Sequence, residues 1–146
     1  MSVLAKLLSS YSENHQNPIN ELIHIFAIPL IMFSIVGLVS ALNFFLEIVL
    51  VVIVFFYYLK LSKIAAILML GWLVAYLVLV HLLEPYILAI SVTLFTIGWL
   101  MQFIGHSIEG KRPSFFEDLR HFLIGPLFVL HKIFLKFGIR VFVDAV

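Results

Sequence analysis

The chain has no cysteine and little charge, and each shortage closes off a class of protein. Without cysteine there is no disulfide framework, no Cys-ligated zinc, no iron–sulfur cluster and no thiol nucleophile. Charged residues make up only 12% of the 146 residues, about half the share of a soluble domain. That excludes an ordinary water-soluble globule. Neither sign of charge dominates: 9 Lys and Arg against 8 Asp and Glu leave a net charge of +1. This gives no concentrated basic face for nucleic acid. A disordered chain would need few apolar residues and high charge, whereas 64% of this one is hydrophobic and its mean hydropathy is +1.19. Residues 1–20 carry no long apolar stretch ahead of their polar part, so they do not read as a signal peptide. The length suits one domain.

What is abundant is long apolar runs. A membrane-spanning helix needs about 20 mostly apolar residues, and four stretches qualify: roughly Leu22–Leu42, Phe44–Leu61, Ile64–Leu83 and Tyr86–Gly105. Pro29 predicts a kink in the first. The breaks are Asn43, Leu61-Ser62-Lys63 and Glu84-Pro85, so tight that successive spans must run antiparallel. The expected fold is all-α. It is a polytopic membrane helix bundle forming a single integral membrane domain over 1–146, with four transmembrane helices plus short C-terminal helices. With four spans, Lys6, Lys60, Lys63, Lys111 and Arg112 share one side, and the other side receives Asn43, Glu47 and Glu84 without any Lys or Arg. This positive-inside pattern predicts that both termini are cytoplasmic. Residues 115–138 mix apolar residues with charges around Gly125-Pro126. They predict two short helices, interfacial or half-buried against the bundle; a fifth span is the alternative.

Ionisable groups in a membrane protein are functional candidates by default. One polar cluster runs from Glu13 through His15, Asn17, Pro18 and Asn20 to His24. Asn17-Pro18 is a helix start, since Asn caps and Pro fits the first turn. Asn17, Asn20 and His24 then share a face. A second cluster closes the fourth span: Trp99, Gln102, His106 and Glu109 follow 3, 4, 3 spacing and form a stripe, with Gly105 permitting close approach of a neighbouring helix. Both clusters reach the cytoplasmic mouth, so His15, His24 and His106 can share one site. His121 is a candidate fourth ligand from the C-terminal segment. His131 lies ten residues beyond it. His81, at the far end of the third span, reads as an interfacial histidine near Glu84. A site of two or three imidazoles with open positions suits iron(II) oxygen chemistry. Glu13, Asn17, Asn20 and Gln102 are placed to hold the imidazole tautomers. On spacing alone the bland reading, polar residues anchoring helix ends, stays open. There is no HExxH, so zincin proteolysis lacks its motif.

At these clusters the sequence resembles a known family. His15-Gln16-Asn17-Pro18-Ile19-Asn20 through His24 is similar to an H-x-N-P-x-N-x-x-x-H motif. Gly98-Trp99 and Gln102-Phe103-Ile104-Gly105-His106, followed by Glu109 and Arg112-Pro113, resembles a second signature, and Gly125-Pro126-Leu127-Phe128 a third, weaker one. The family is that of the membrane 2-hydroxy fatty acid dioxygenases. Glu109 follows His106 one position sooner than in eukaryotic members, and His121 stands where Gln is usual.

The resemblance implies an iron(II) enzyme that oxidises a 2-hydroxy fatty acid with O2, releases the carboxyl carbon and leaves a fatty acid one carbon shorter. It implies His15, His24 and His106 as the essential histidines, with Fe2+ as cofactor and Glu109 or His121 as possible additions. The partners expected are the hydroxy acid, O2 and membrane lipid. Lys111 or Arg112 is a candidate for holding the substrate carboxylate, and Phe26, Phe33 and Trp99 for lining the acyl tail. The short form points to a bacterial inner membrane, or to the endoplasmic reticulum for a eukaryotic chain. Two rivals remain at this stage: a b-type haem electron carrier with His24 and His106 as axial ligands, and a non-catalytic membrane adaptor or lipid-binding module.

Overall fold

Short polar residues start and stop the helices, as the sequence predicts. In the computed structural model, which describes residues 2–110 and 121–142, Asn17 Oδ1 accepts a hydrogen bond from Ile19 N (2.9 Å) and Pro18 opens a helix. Asn43 repeats the device, accepting from Phe45 N at 2.7 Å. A side-chain oxygen at this position replaces a partner that the first helical turn cannot supply. The elements are α1 (Val3–Asn14), α2 (Pro18–Leu42), α3 (Phe44–Leu61), α4 (Lys63–Leu82), a 3-10 turn (Glu84–Tyr86), α5 (Ile87–Glu109) and α6 (Gly125–Lys136). No strand occurs among the described residues. Four helices are long and apolar enough to cross a membrane: Pro18–Leu42, Phe44–Leu61, Lys63–Leu82 and Glu84–Glu109. The first and last extend beyond the expected spans by a turn each at the polar clusters.

One difference from expectation stands out: α1, which hydropathy did not reveal. Ser2 Oγ caps it by accepting from Ala5 N (3.1 Å), and Leu4, Ala5, Leu8 and Tyr11 form its buried face. Positions i, i+4 and i+7 make a stripe, but twelve residues are too few to register as a span. α6 is one of the short C-terminal helices expected, and Gly125-Pro126 opens it. At 12 residues, or about 18 Å at 1.5 Å per residue, α6 is too short to span. The remainder of the 115–138 segment up to residue 120 lies outside the described residues.

The chain divides into two compact units, one of residues 1–28 with 99–146, the other of residues 29–98. The second unit has a core of Phe33, Val36, Leu73, Val80 and Ile87. Tyr76 donates its hydroxyl to the carbonyl of Pro29 (2.9 Å). α2 and α5 approach closely there: a Cβ on Gly37 would collide with Ser91 Oγ and meet Ile87 Cδ1 at 3.0 Å. Buried Glu47 on α3 pairs with His81 on α4 at 3.0 Å. Large apolar side chains such as Phe45, Ile53, Phe56 and Ile67 are exposed, a surface that is costly in water and suits lipid.

In the first unit α1 packs on α6. Tyr11 lies 4.8 Å from the Phe128 ring, and Ile28, Ile124, Leu127 and Val129 are buried with them. Lys132 on α6 pairs with Glu21 on α2 at 2.9 Å.

Candidate metal centre

Three histidines from separate stretches meet in the first unit. His15 directly follows α1, His24 lies in the second turn of α2, and His106 lies in the last turn of α5. They are the group among the described residues that could hold an ion, with one ring nitrogen of each within 4.8 Å of the others. An ion bonded at about 2.1 Å needs its nitrogens no more than about 4.2 Å apart, so a small closure suffices. Their relative exposures are 5%, 1% and 7%, which removes them from bulk water. Ring centroids stand 4.3 Å (His15–His24), 5.1 Å (His24–His106) and 5.7 Å (His15–His106) apart.

Backbone carbonyls set the tautomers of two of these rings. His15 Nδ1 lies 2.8 Å from the Tyr11 carbonyl. His15 N is directed to Ser12 O instead, so the side chain serves a carbonyl at the end of α1, where helical partners run out. His24 Nδ1 lies 2.9 Å from the Asn20 carbonyl. A carbonyl only accepts, so Nδ1 carries the proton in both rings and Nε2 carries the lone pair a metal needs. This is the outer-shell support that metal-binding histidines require.

Glu109, considered from sequence as a ligand, is engaged otherwise. Its Oε1 accepts from Gln16 N (3.0 Å) and Asn17 N (3.2 Å), and its Oε2 from Asn17 N (3.0 Å) and Asn20 Nδ2 (2.9 Å). Asn20 is fully buried, and it both donates to Glu109 and holds His24 through its carbonyl. Gly105, next to His106, is required by this packing: a Cβ there would collide with Asn20 Oδ1 and lie 3.3 Å from His24 Cε1.

The other candidates fall as follows. Asn17 caps α2, and Gln102 is buried on α5 one turn before His106. Glu13 receives Ser9 Oγ at 3.4 Å and lines a polar cleft of about 350 Å³ with Ser9, Ser12, Gln16, Glu21 and Lys132, which reaches His15. His121 stands with its ring 6.0 Å from that of Tyr11, outside the histidine trio. His131 is buried on α6 beside Phe142; desolvation, aided by Lys132, lowers its pKa below 6.5. Lys111 and Arg112 lie outside the described residues. Of the aromatics considered for the acyl tail, Phe26 is exposed and Phe33 fills the core of the second unit. Trp99 belongs to the first unit, its ring 5.9 Å from Phe103.

Sequence reasoning missed Tyr11. Its ring stacks on His15 at 4.2 Å with planes 8° apart, while its carbonyl holds the same imidazole. The four-residue spacing carries that signal only once α1 is known to be a helix.

Chemically, an all-imidazole donor set suits iron, zinc, copper or nickel rather than magnesium or calcium. A porphyrin between His24 and His106 does not fit, because His15 packs against both rings.

Comparison with known proteins follows the same line. A family model described as 2-hydroxy-palmitic acid dioxygenase Mpo1-like matches residues 1–137. The chain is 30% identical over 145 residues to the 2-hydroxy-palmitic acid dioxygenase MPO1 of Saccharomyces cerevisiae, an alignment covering 92% of this chain and 82% of the yeast protein. No solved structure matches the chain.

Proposed function

The chain belongs to the Mpo1-like family of 2-hydroxy-palmitic acid dioxygenases, and on that footing we propose that it is an iron(II)-dependent membrane dioxygenase that shortens 2-hydroxy fatty acids by one carbon. The observation that carries the reading is the convergence of buried His15, His24 and His106. These residues would hold the ion through Nε2 of His15 and His24 and a ring nitrogen of His106. Iron(II), when bound, supplies a redox-active, Lewis-acidic centre with positions left over for exogenous oxygen donors. The reaction balances with O2 as the sole oxidant: a 2-hydroxy acid and O2 give the acid one carbon shorter, carbon dioxide and water.

The chain's own groups contribute orientation and exclusion. The Tyr11 and Asn20 carbonyls keep two imidazoles in the tautomer that presents a lone pair. Neutral imidazoles leave the charge of a divalent ion uncompensated, which favours an anionic hydroxy acid over a neutral analogue. Burial raises that preference, because opposite charges attract more strongly away from water. The cleft at Glu13 and Lys132 is lined by polar and charged residues; it suits water and small solutes, leaving the acyl tail to approach from lipid. The charge pattern along the chain supports cytoplasmic termini, and hence a metal centre at the cytoplasmic face.

Detergent-purified protein tests the reading. It should carry stoichiometric iron by elemental analysis and convert 2-hydroxypalmitate to pentadecanoate under O2. His106→Ala should lose both the iron and the product, activity falling at least about 100-fold. Stoichiometric zinc with no turnover, or activity that survives the substitution, would remove the assignment. A metal-free wild-type protein that binds lipid would favour an adaptor.

A further inference from the structure

Resting on the reading of the histidines as metal ligands, we infer that Glu109 is the positioning residue of the centre: its carboxylate ties the three histidine-bearing segments together and does not bind the ion. A carboxylate offers about four lone-pair sites. Three donors occupy both oxygens at 2.9–3.2 Å: Gln16 N on Oε1, Asn20 Nδ2 on Oε2, and the Asn17 N–H shared between the two. A metal at either oxygen would compete with donors already in place.

The origin of each donor gives the contacts their meaning. Gln16 follows His15. Asn17 caps the helix that carries His24. Asn20 presents to His24 the carbonyl that fixes its ring. Glu109 itself stands three residues beyond His106. One side chain therefore joins the end of α5, the connector after α1 and the first turn of α2. It also sets Asn20: the amide donates to Glu109, while Asn20 Oδ1 is buried without a hydrogen-bond partner. The acid is matched to its place, because it accepts from the two backbone N–H groups just before α2, beside the partial positive charge of that helix's start. Charge-assisted hydrogen bonds of this kind are the strong ones.

The test uses the full chain in detergent and cobalt(II) alone as probe, whose visible absorption reports the ligand set. Glu109→Gln keeps the size but turns an N–H₂ donor toward other donors. It should weaken cobalt(II) binding about 10–100-fold and leave the spectrum at saturation unchanged. Glu109→Asp keeps the charge and should recover part of the loss. Glu21→Gln, which removes the Lys132 partner in the same unit, should leave the affinity as in wild type. A saturated spectrum altered by Glu109→Gln makes Glu109 a ligand and overturns the inference; so does unchanged affinity. Should Glu109→Gln fail to fold, Glu109→Asp gives the same readings. His106→Ala separates the two claims. If it binds cobalt(II) like wild type, the histidine reading itself fails. If it loses the spectrum while both Glu109 variants bind normally, only the inference fails.

Discussion

At the scale of single residues, the histidine cluster depends on a missing atom as much as on its imidazoles. Gly105 leaves the space that Asn20 Oδ1 occupies, with His24 Cε1 just beyond. Gly105→Ala is therefore expected to cost about 1–3 kcal/mol by overpacking. It should also weaken metal binding, because Asn20 orients His24. Gly71 on α4 has nothing within 4 Å of its Cβ position. Gly71→Ala should be neutral or stabilising by up to about 1 kcal/mol. Thermal unfolding in detergent, paired with cobalt(II) titration, checks both. Equal effects of the two substitutions would mean that helix propensity rather than packing governs Gly105. The residues of the centre were unequally legible. Histidines in a chain this apolar are conspicuous, because placing them in a membrane is costly. The spacing 17, 20, 24 also put Asn20 on the face of His24. The contacts of Glu109 were hidden, because two of its three donors, Gln16 N and Asn17 N, are backbone groups about ninety positions away, and backbone N–H groups leave no mark in a sequence.

At the scale of elements, the long helices were readable and α1 was not. Spans declare themselves by apolar length, and their ends by Asn17, Asn43 and Ser62. A 12-residue amphipathic helix declares itself only by a stripe, which polar Ser9, Ser10, Ser12, Glu13 and Asn14 obscure. Yet α1 supports the histidine cluster at His15, since its last turn carries both the Tyr11 ring stacked on His15 and the carbonyl that orients it. Leu8 is buried on the same face at 3% exposure. Leu8→Ala should cost about 2–5 kcal/mol if its cavity does not collapse. Val3, at 65% exposure, is the control, and Val3→Ala should stay within about 0.5 kcal/mol. The sharper expectation concerns coupling: cobalt(II) affinity should fall in Leu8→Ala even where the helices remain folded. Loss of stability at constant affinity would show that α1 is a cover and not a support.

At the scale of the whole molecule, site and topology are one claim, because of parity. His15 precedes the first of the four helices long and apolar enough to span, and His106 lies in the last turn of the fourth. An even number of crossings returns the chain to the face it left; three or five would leave the two histidines on opposite sides of the bilayer. The charges agree: four crossings would put Lys6, Lys60 and Lys63 on the side of the termini and no Lys or Arg beside Asn43 or Glu84. The absence of native cysteine makes the topology directly measurable, since any introduced thiol is the sole one. Asn43→Cys and Glu84→Cys should react with a membrane-impermeant maleimide added to intact cells. Ser2→Cys and Ser62→Cys should react only after the membrane is opened. The reverse pattern would move the centre to the other face while keeping parity and the trio. A mixed pattern, with positions 43 and 84 on different sides, would break parity. No bound iron at His15, His24 and His106 could then be reconciled with a chain that spans the membrane.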